Sequence, residues 1–79
     1  MSTHEVELIV REGCGSCVRV HEQIAPIVAA HGARLVVVDI ADDEDYRFDF
    51  GDRVPVVLVD GEEIAAWEVD EERLVSALL

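Results

Sequence analysis

The chain has 79 residues, enough for one domain with a modest core and too few for two. It carries 18 acidic residues against 6 basic ones, all arginine, for a net charge of -12; a surface this negative repels phosphates and argues against a nucleic-acid ligand. Apolar residues make up 51%, which supports a packed core over a disordered chain, and no apolar run is long enough to span a bilayer.

Met1-Ser2-Thr3-His4-Glu5 lacks the basic segment of a secretory leader, and the apolar run that follows is too short to act as one. A cytoplasmic location is therefore expected, where two cysteines serve catalysis or metal binding more often than structural stapling. Val6 to Val10 alternates and then turns continuously apolar, as a buried strand does. Arg11-Glu12-Gly13 ends it, and Gly13 and Gly15 allow a sharp turn around Cys14. From Cys17 to His31 the spacing is helical. Val18, His21, Ala25 and Val28 fall near one face, and Cys17, Ile24 and Ile27 or Val28 on its neighbour. Pro26 predicts a kink or a break, and Gly32 a helix stop.

Arg34 to Ile40, with Leu35-Val36-Val37-Val38 inside, is apolar on both faces and reads as a central strand parallel to the first. Asp42-Asp43-Glu44-Asp45 reads as a solvated first helical turn favoured by the helix dipole. Tyr46 and Phe50, four apart, share a face of a short helix ending at Gly51. Arg53 to Val59 is a third strand with Pro55 at its start. Asp60-Gly61 makes a two-residue hairpin into an antiparallel strand over Glu62 to Ala65. A last helix covers Asp70 to Leu79, with Asp70 as N-cap, a Val69–Leu74 hydrophobic staple, and Leu74, Leu78 and Val75 facing the sheet.

The chemistry centres on Cys14-Gly15-Ser16-Cys17, which holds the only two cysteines, at a strand-to-helix junction. An ordinary thiol is only about 3% thiolate at pH 7, and the thiolate is the attacking species. Unpaired N–H groups at a helix N-terminus favour the anion at Cys14, and Arg11 adds a nearby positive charge. Cys17, one turn further in, suits a resolving thiol that displaces the reduced substrate. Gly15-Ser16 fits the tight turn and leaves the Cys14 sulfur open. Two rival readings exist: inert core thiols, or a zinc site built on Cys14, Cys17 and His21, for which no fourth ligand is evident. His21 reads as a half-buried helix residue ahead of a base, His4 and His31 as surface residues, and Trp67 as a cap on the sheet edge beside the last helix ahead of the other reading, a substrate platform beside a groove. Arg53 and Arg11 read equally as holders of a substrate carboxylate or as solvated surface.

With Val54-Pro55 before the third strand, the Asp60-Gly61 hairpin and the closing helix, the Cys14-x-x-Cys17 pair resembles the thioredoxin superfamily, and specifically small bacterial glutaredoxin-like proteins. The resemblance covers nearly the whole chain, residues 1–79 as a single domain. It implies an α/β thioredoxin-like fold, β-α-β-α-β-β-α, with a central four-stranded mixed sheet flanked by helices. It further implies a thiol–disulfide oxidoreductase with Cys14 as nucleophile and Cys17 as resolving cysteine. Pro55 is expected to be cis and to face the cysteines, Val54 to offer its backbone to an extended substrate, and Arg11, Gly15 and Ser16 to border the groove. Arg11 stands where glutaredoxins carry a base. Where they carry a Gly-Gly and acidic motif for glutathione, this chain has Ala65-Ala66-Trp67-Glu68. No resident cofactor or metal is expected. Glutathione or a thioredoxin-type reductase would supply electrons, the substrate would be a protein or small-molecule disulfide, no membrane or nucleic-acid partner is expected, and the chain should be a monomer. The alternative function is a non-catalytic thioredoxin-like module that binds a metal or a partner through the same groove.

Overall fold

In the computed structural model, which describes residues 3–79, the elements run β1 (Glu5–Val10), α1 (Gly15–Ala30), β2 (Arg34–Asp39), one 3-10 turn (Ile40–Asp42), α2 (Glu44–Phe50), β3 (Val56–Val59), β4 (Glu62–Ala66) and α3 (Glu71–Leu78). Met1 and Ser2, part of the stretch read above for a leader, lie outside the described residues. The sheet order is β2-β1-β3-β4. β1 pairs parallel with β2 and antiparallel with β3, and β3 pairs antiparallel with β4. This is the expected four-stranded mixed sheet. Among the described residues no helix is long and apolar enough to cross a membrane.

Strand alternation splits the core into two layers. Val6 and Leu8 of β1 and Val57 and Val59 of β3 pack on one face against Val20, Ile24 and Val28 of α1 and Leu74 and Leu78 of α3. Ile9, Val56 and Leu58 project to the other face, where Val38, Ile40, Tyr46 and Phe50 pack with them. Tyr46 and Phe50 do share a face, with ring centroids 5.5 Å apart at 72°. The Tyr46 hydroxyl donates to Glu7 at 2.9 Å, which ties α2 to the middle strand. The acidic run behaves as expected: Asp43 caps α2 by accepting the Tyr46 N–H at 3.0 Å, and Glu44 and Asp45 fill the first turn. Asp60 and Gly61 both take positive φ, 52° and 85°, as a tight hairpin requires.

Four expectations are corrected. β2 is an edge strand, not a central one, and Val37 is 48% exposed. Leu35 packs with the α1–α3 cluster and Val38 with the α2 cluster, but Val37, paired with Leu8 and so on the α1 side, belongs to neither and stays open beside Val18 and His21. α1 starts at Gly15, two residues before the helical spacing becomes visible, and runs unbroken through Pro26. Pro26 is exposed, and so is Glu22, whose carbonyl loses the proline's missing N–H, so water can replace that bond. The buried stripe of α1 is Cys17, Val20, Ile24 and Val28; Val18 and His21, grouped with Val28 on one face by the spacing, are exposed. His4 is half-buried and bonds to Asp60 across the hairpin.

Ile24 is fully buried between α1 and the sheet. Ile24→Ala should cost about 3 kcal/mol, a large share of the ~4–12 kcal/mol typical of a domain this size. Val37→Thr on the exposed edge should cost under about 0.5 kcal/mol, and urea unfolding of both variants checks the contrast. The Glu5 backbone N–H, 2.9 Å from Asp60, and secondarily the His4 side chain, hold the Asp60 carboxyl below its ordinary value of 3.8. A depressed folded-state pKa contributes stability that is present above the unfolded value and lost as pH falls through the folded one. Asp60→Asn should therefore flatten the acid limb of thermal stability below about pH 4, read as melting temperature against pH.

Candidate active site

The loop between β1 and α1 is short because Gly13, at φ 76°, turns the chain in a conformation that residues with a side chain rarely adopt. Cys14 follows in extended geometry, φ -96° and ψ 104°, as the N-cap of α1. Its sulfur accepts the Cys17 backbone N–H at 3.1 Å, and its carbonyl accepts the Val18 N–H at 3.4 Å. The sulfur thus does what a serine or aspartate oxygen does at other helix starts: it satisfies an N–H the helix itself leaves unpaired. Gly15 is the first helical residue and an added Cβ would meet nothing within 4 Å, so its conformational freedom is not needed; Gly13 alone makes the turn. A bare Gly15 and an exposed Ser16 leave the flank of Cys14 low.

Cys14 and Cys17 form a disulfide with Cα atoms 5.3 Å apart. Cys17 is 4% exposed and sits among Ile9, Val54, Val56 and Leu58, whereas Cys14 is only half-buried. One sulfur of the pair is reachable and the other is shielded by the core. The Val54–Pro55 peptide is cis. Val54 and Pro55 are buried, and among the described residues neither the N–H nor the C=O of Val54 has a backbone partner. The β3 ladder begins only at Val56, which leaves that backbone free beside the cysteines.

Two grooves meet at Cys14. One carries Arg11, Ser16, Arg19, Pro55, Trp67 and Glu68. The other, more apolar, runs over Val10, Val18, His21 and Val37. The sequence-derived site residues Arg11, Gly15, Ser16, Val54 and Pro55 all border the first groove. Arg53 does not: its guanidinium bonds Glu63 at 2.7 Å and the Asp49 carbonyl at 2.9 Å and lies 5.4 Å over the Phe50 ring. Arg11 and Arg19 make no ion pair among the described residues, so both keep their charge available at the mouth of the site. No group of three or more His, Cys, Asp or Glu side chains is drawn together in a way that could hold a metal ion, again among the described residues, and the Cys14, Cys17 and His21 set is no exception.

One lining residue escaped sequence reasoning, and two others stand otherwise than in their favoured readings. Arg19 becomes visible once α1 is started at Gly15, because it then lies one turn from Ser16 on the same face. His21 is exposed beside both cysteines instead of half-buried. Trp67, read first as a cap on the sheet edge, is 61% exposed and borders the same groove as Cys14. Its φ is 71°, and the Glu68 N–H bonds back to the Ala66 carbonyl at 2.9 Å, closing a γ-turn around it. Such a conformation costs a non-glycine residue about 1–3 kcal/mol. The Trp67 N–H donates to the Pro55 carbonyl at 2.7 Å, which holds the turn against the cis-proline segment.

A partly exposed helix-cap cysteine bonded to a buried partner, with a cis-proline bordering the same groove on this sheet, belongs to a protein of the thioredoxin fold. The comparisons agree. A family model described as "Glutaredoxin-like domain (DUF836)" matches residues 5–79, and the chain belongs to this glutaredoxin-like family. It is 46% identical over 79 aligned residues to protein Rv0508 of Mycobacterium tuberculosis, covering 94% of this chain and 81% of that one. Among solved structures, protein Ne2328 of Nitrosomonas europaea superposes with a TM-score of 0.82 at 20% identity, over 96% of this chain and 92% of that one. A structural genomics target from X. campestris gives 0.70 at 31% identity, over 92% and 93%. A mutant thioredoxin from Halobacterium salinarum gives 0.69 at 18% identity, over 98% and 73%, a likeness of fold.

If Arg11 and Arg19 stabilise an anion at the Cys14 sulfur, removing them should slow its chemistry. In the reduced protein, Arg11→Gln with Arg19→Gln should slow alkylation of Cys14 at pH 7 about two- to threefold at low ionic strength, with a smaller effect in about 0.5 M salt. The check is the rate of iodoacetamide labelling located by mass spectrometry.

Proposed function

We propose that this protein is a thiol–disulfide oxidoreductase in which Cys14 is the nucleophile and Cys17 the resolving cysteine. The observation that carries the reading is the Cys17 N–H directed at the Cys14 sulfur from 3.1 Å, at the start of α1. In the dithiol form that donor, with the other unpaired N–H groups of the first turn, favours a thiolate over a thiol.

The Cys14 thiolate attacks one sulfur of a substrate disulfide. A Cys14–substrate disulfide forms, the substrate S–S bond breaks, and the other substrate sulfur leaves as a thiolate that takes a proton from solvent. Cys17 then loses its proton and attacks the Cys14 sulfur. The Cys14–Cys17 bond forms and the second substrate thiolate departs. Two electrons pass from the protein dithiol to the substrate, and the protein is left as the disulfide. The burial of Cys17 suits this order, since it keeps the resolving sulfur away from external disulfides until Cys14 has reacted. The free backbone of Val54 offers an extended substrate one donor and one acceptor beside the reacting sulfur.

The cycle closes when an external dithiol reduces the pair. We favour a thioredoxin-type reductase over glutathione as that donor, because Ala65-Ala66-Trp67-Glu68 occupies the place of the Gly-Gly and acidic motif. The reading further takes the chain to act as a monomer in the cytoplasm, on a protein or small-molecule disulfide.

Cys14→Ser should abolish reduction of a model disulfide such as insulin. Cys17→Ser should retain the first step and accumulate a Cys14–substrate mixed disulfide, visible by non-reducing electrophoresis and mass spectrometry. Equal rates for Cys14→Ser and the unaltered protein would refute the proposal.

A further inference from the structure

We propose that Trp67 is a specificity-determining residue: its indole is the wall against which an apolar side chain next to the substrate's reactive cysteine packs. This rests on the oxidoreductase reading above and adds the class of substrate, an extended polypeptide disulfide with an apolar residue beside its cysteine.

The indole has no structural employment that explains it. Trp67 belongs to neither buried cluster and is 61% exposed, although it is the chain's only tryptophan and its largest apolar side chain. A residue at φ 71° in a γ-turn is where glycine or asparagine fits with least strain, and an aromatic side chain there is an outlier. Burial does not compensate that strain. What the turn accomplishes is placement: the Trp67 N–H is fixed to the Pro55 carbonyl at 2.7 Å, and Trp67, largely exposed, borders the groove that contains Cys14, Ser16 and Pro55.

The occupant follows from the other walls. The N–H and C=O of Val54, unpaired among the described residues, match an extended peptide backbone, which a small organic disulfide cannot supply. A peptide aligned there with its sulfur at Cys14 brings a neighbouring side chain toward Trp67, where an exposed aromatic face gains most from apolar contact. Arg11 and Arg19 border the same groove with no ion pair among the described residues. Their charge offsets Glu68 locally and favours a substrate that also carries a carboxylate.

The test uses the full chain and two peptides identical except for leucine or glycine beside the cysteine, each presented as a disulfide. The unaltered protein should reduce the leucine peptide with a kcat/KM about tenfold higher than the glycine peptide. Trp67→Gly should bring that ratio close to one and raise the melting temperature, since glycine relieves the turn. Trp67→Phe should keep the ratio within about threefold of its original value. A ratio unchanged in Trp67→Gly would overturn the inference. A second readout needs no turnover: the same peptides with serine in place of cysteine are titrated while the emission of Trp67 is followed. The leucine peptide should shift the emission and bind more tightly than the glycine peptide, and equal responses would overturn the inference. Absence of reduction of either peptide, with the binding preference intact, would sink the oxidoreductase reading and leave of this inference only Trp67 as an apolar wall for a bound peptide, whereas reduction without a leucine preference would overturn this inference alone.

Discussion

The hydrogen bond from the Cys17 amide to the Cys14 sulfur is the contact on which the site depends. It exists because the chain leaves β1, turns at Gly13 and enters α1 with the cysteine in the N-cap position. That single placement makes one sulfur an acceptor for the helix start and puts the second one turn deeper, against Ile9 and Val56. A serine or aspartate in the same position would cap the helix as well. In the proposed function, a reduced cysteine there would turn the capping donors into stabilisers of an anion.

The rest of the fold keeps this junction where a substrate can reach it. Two apolar layers clamp the sheet, so the ends of β1 and β3 are held rigidly beside each other. The ladder between them stops at Val56, and the cis Val54–Pro55 segment emerges next to the cysteines with its backbone free. The far end of the sheet is tied separately, by the Asp60-Gly61 hairpin and the His4–Asp60 contact. Against an overall charge of -12, two arginines with no carboxylate partner among the described residues stand at the site. Within a Debye length of about 8 Å their charge weighs more than that of distant acids.

Much of this was legible in the residues. The element order, the Asp60-Gly61 hairpin, the Asp43-to-Asp45 helix start and the shielded second cysteine all follow from local rules of turn, cap and spacing. The cis proline came from the family resemblance. What escaped was set by tertiary context. Leu35-Val36-Val37-Val38 reports a taste for burial but not a place in the sheet, so β2 read as central although it lies at the edge. Pro26 read as a kink, yet on an exposed face its lost hydrogen bond is replaceable by water and the helix continues. Arg19 was hidden by a helix start taken two residues late. The conformation of Trp67 had no sequence signal at all, because no glycine or asparagine marks the turn.

The most direct test of the central claim is the pH dependence of alkylation of Cys14 in the reduced protein, with Cys17 replaced by serine so that only one thiol reports. If backbone donors at the start of α1 hold the sulfur as an anion, the midpoint should lie clearly below the ~8.5 of a free thiol. A midpoint at or above about 8.5 would contradict that claim and leave Cys14 an ordinary helix-cap thiol.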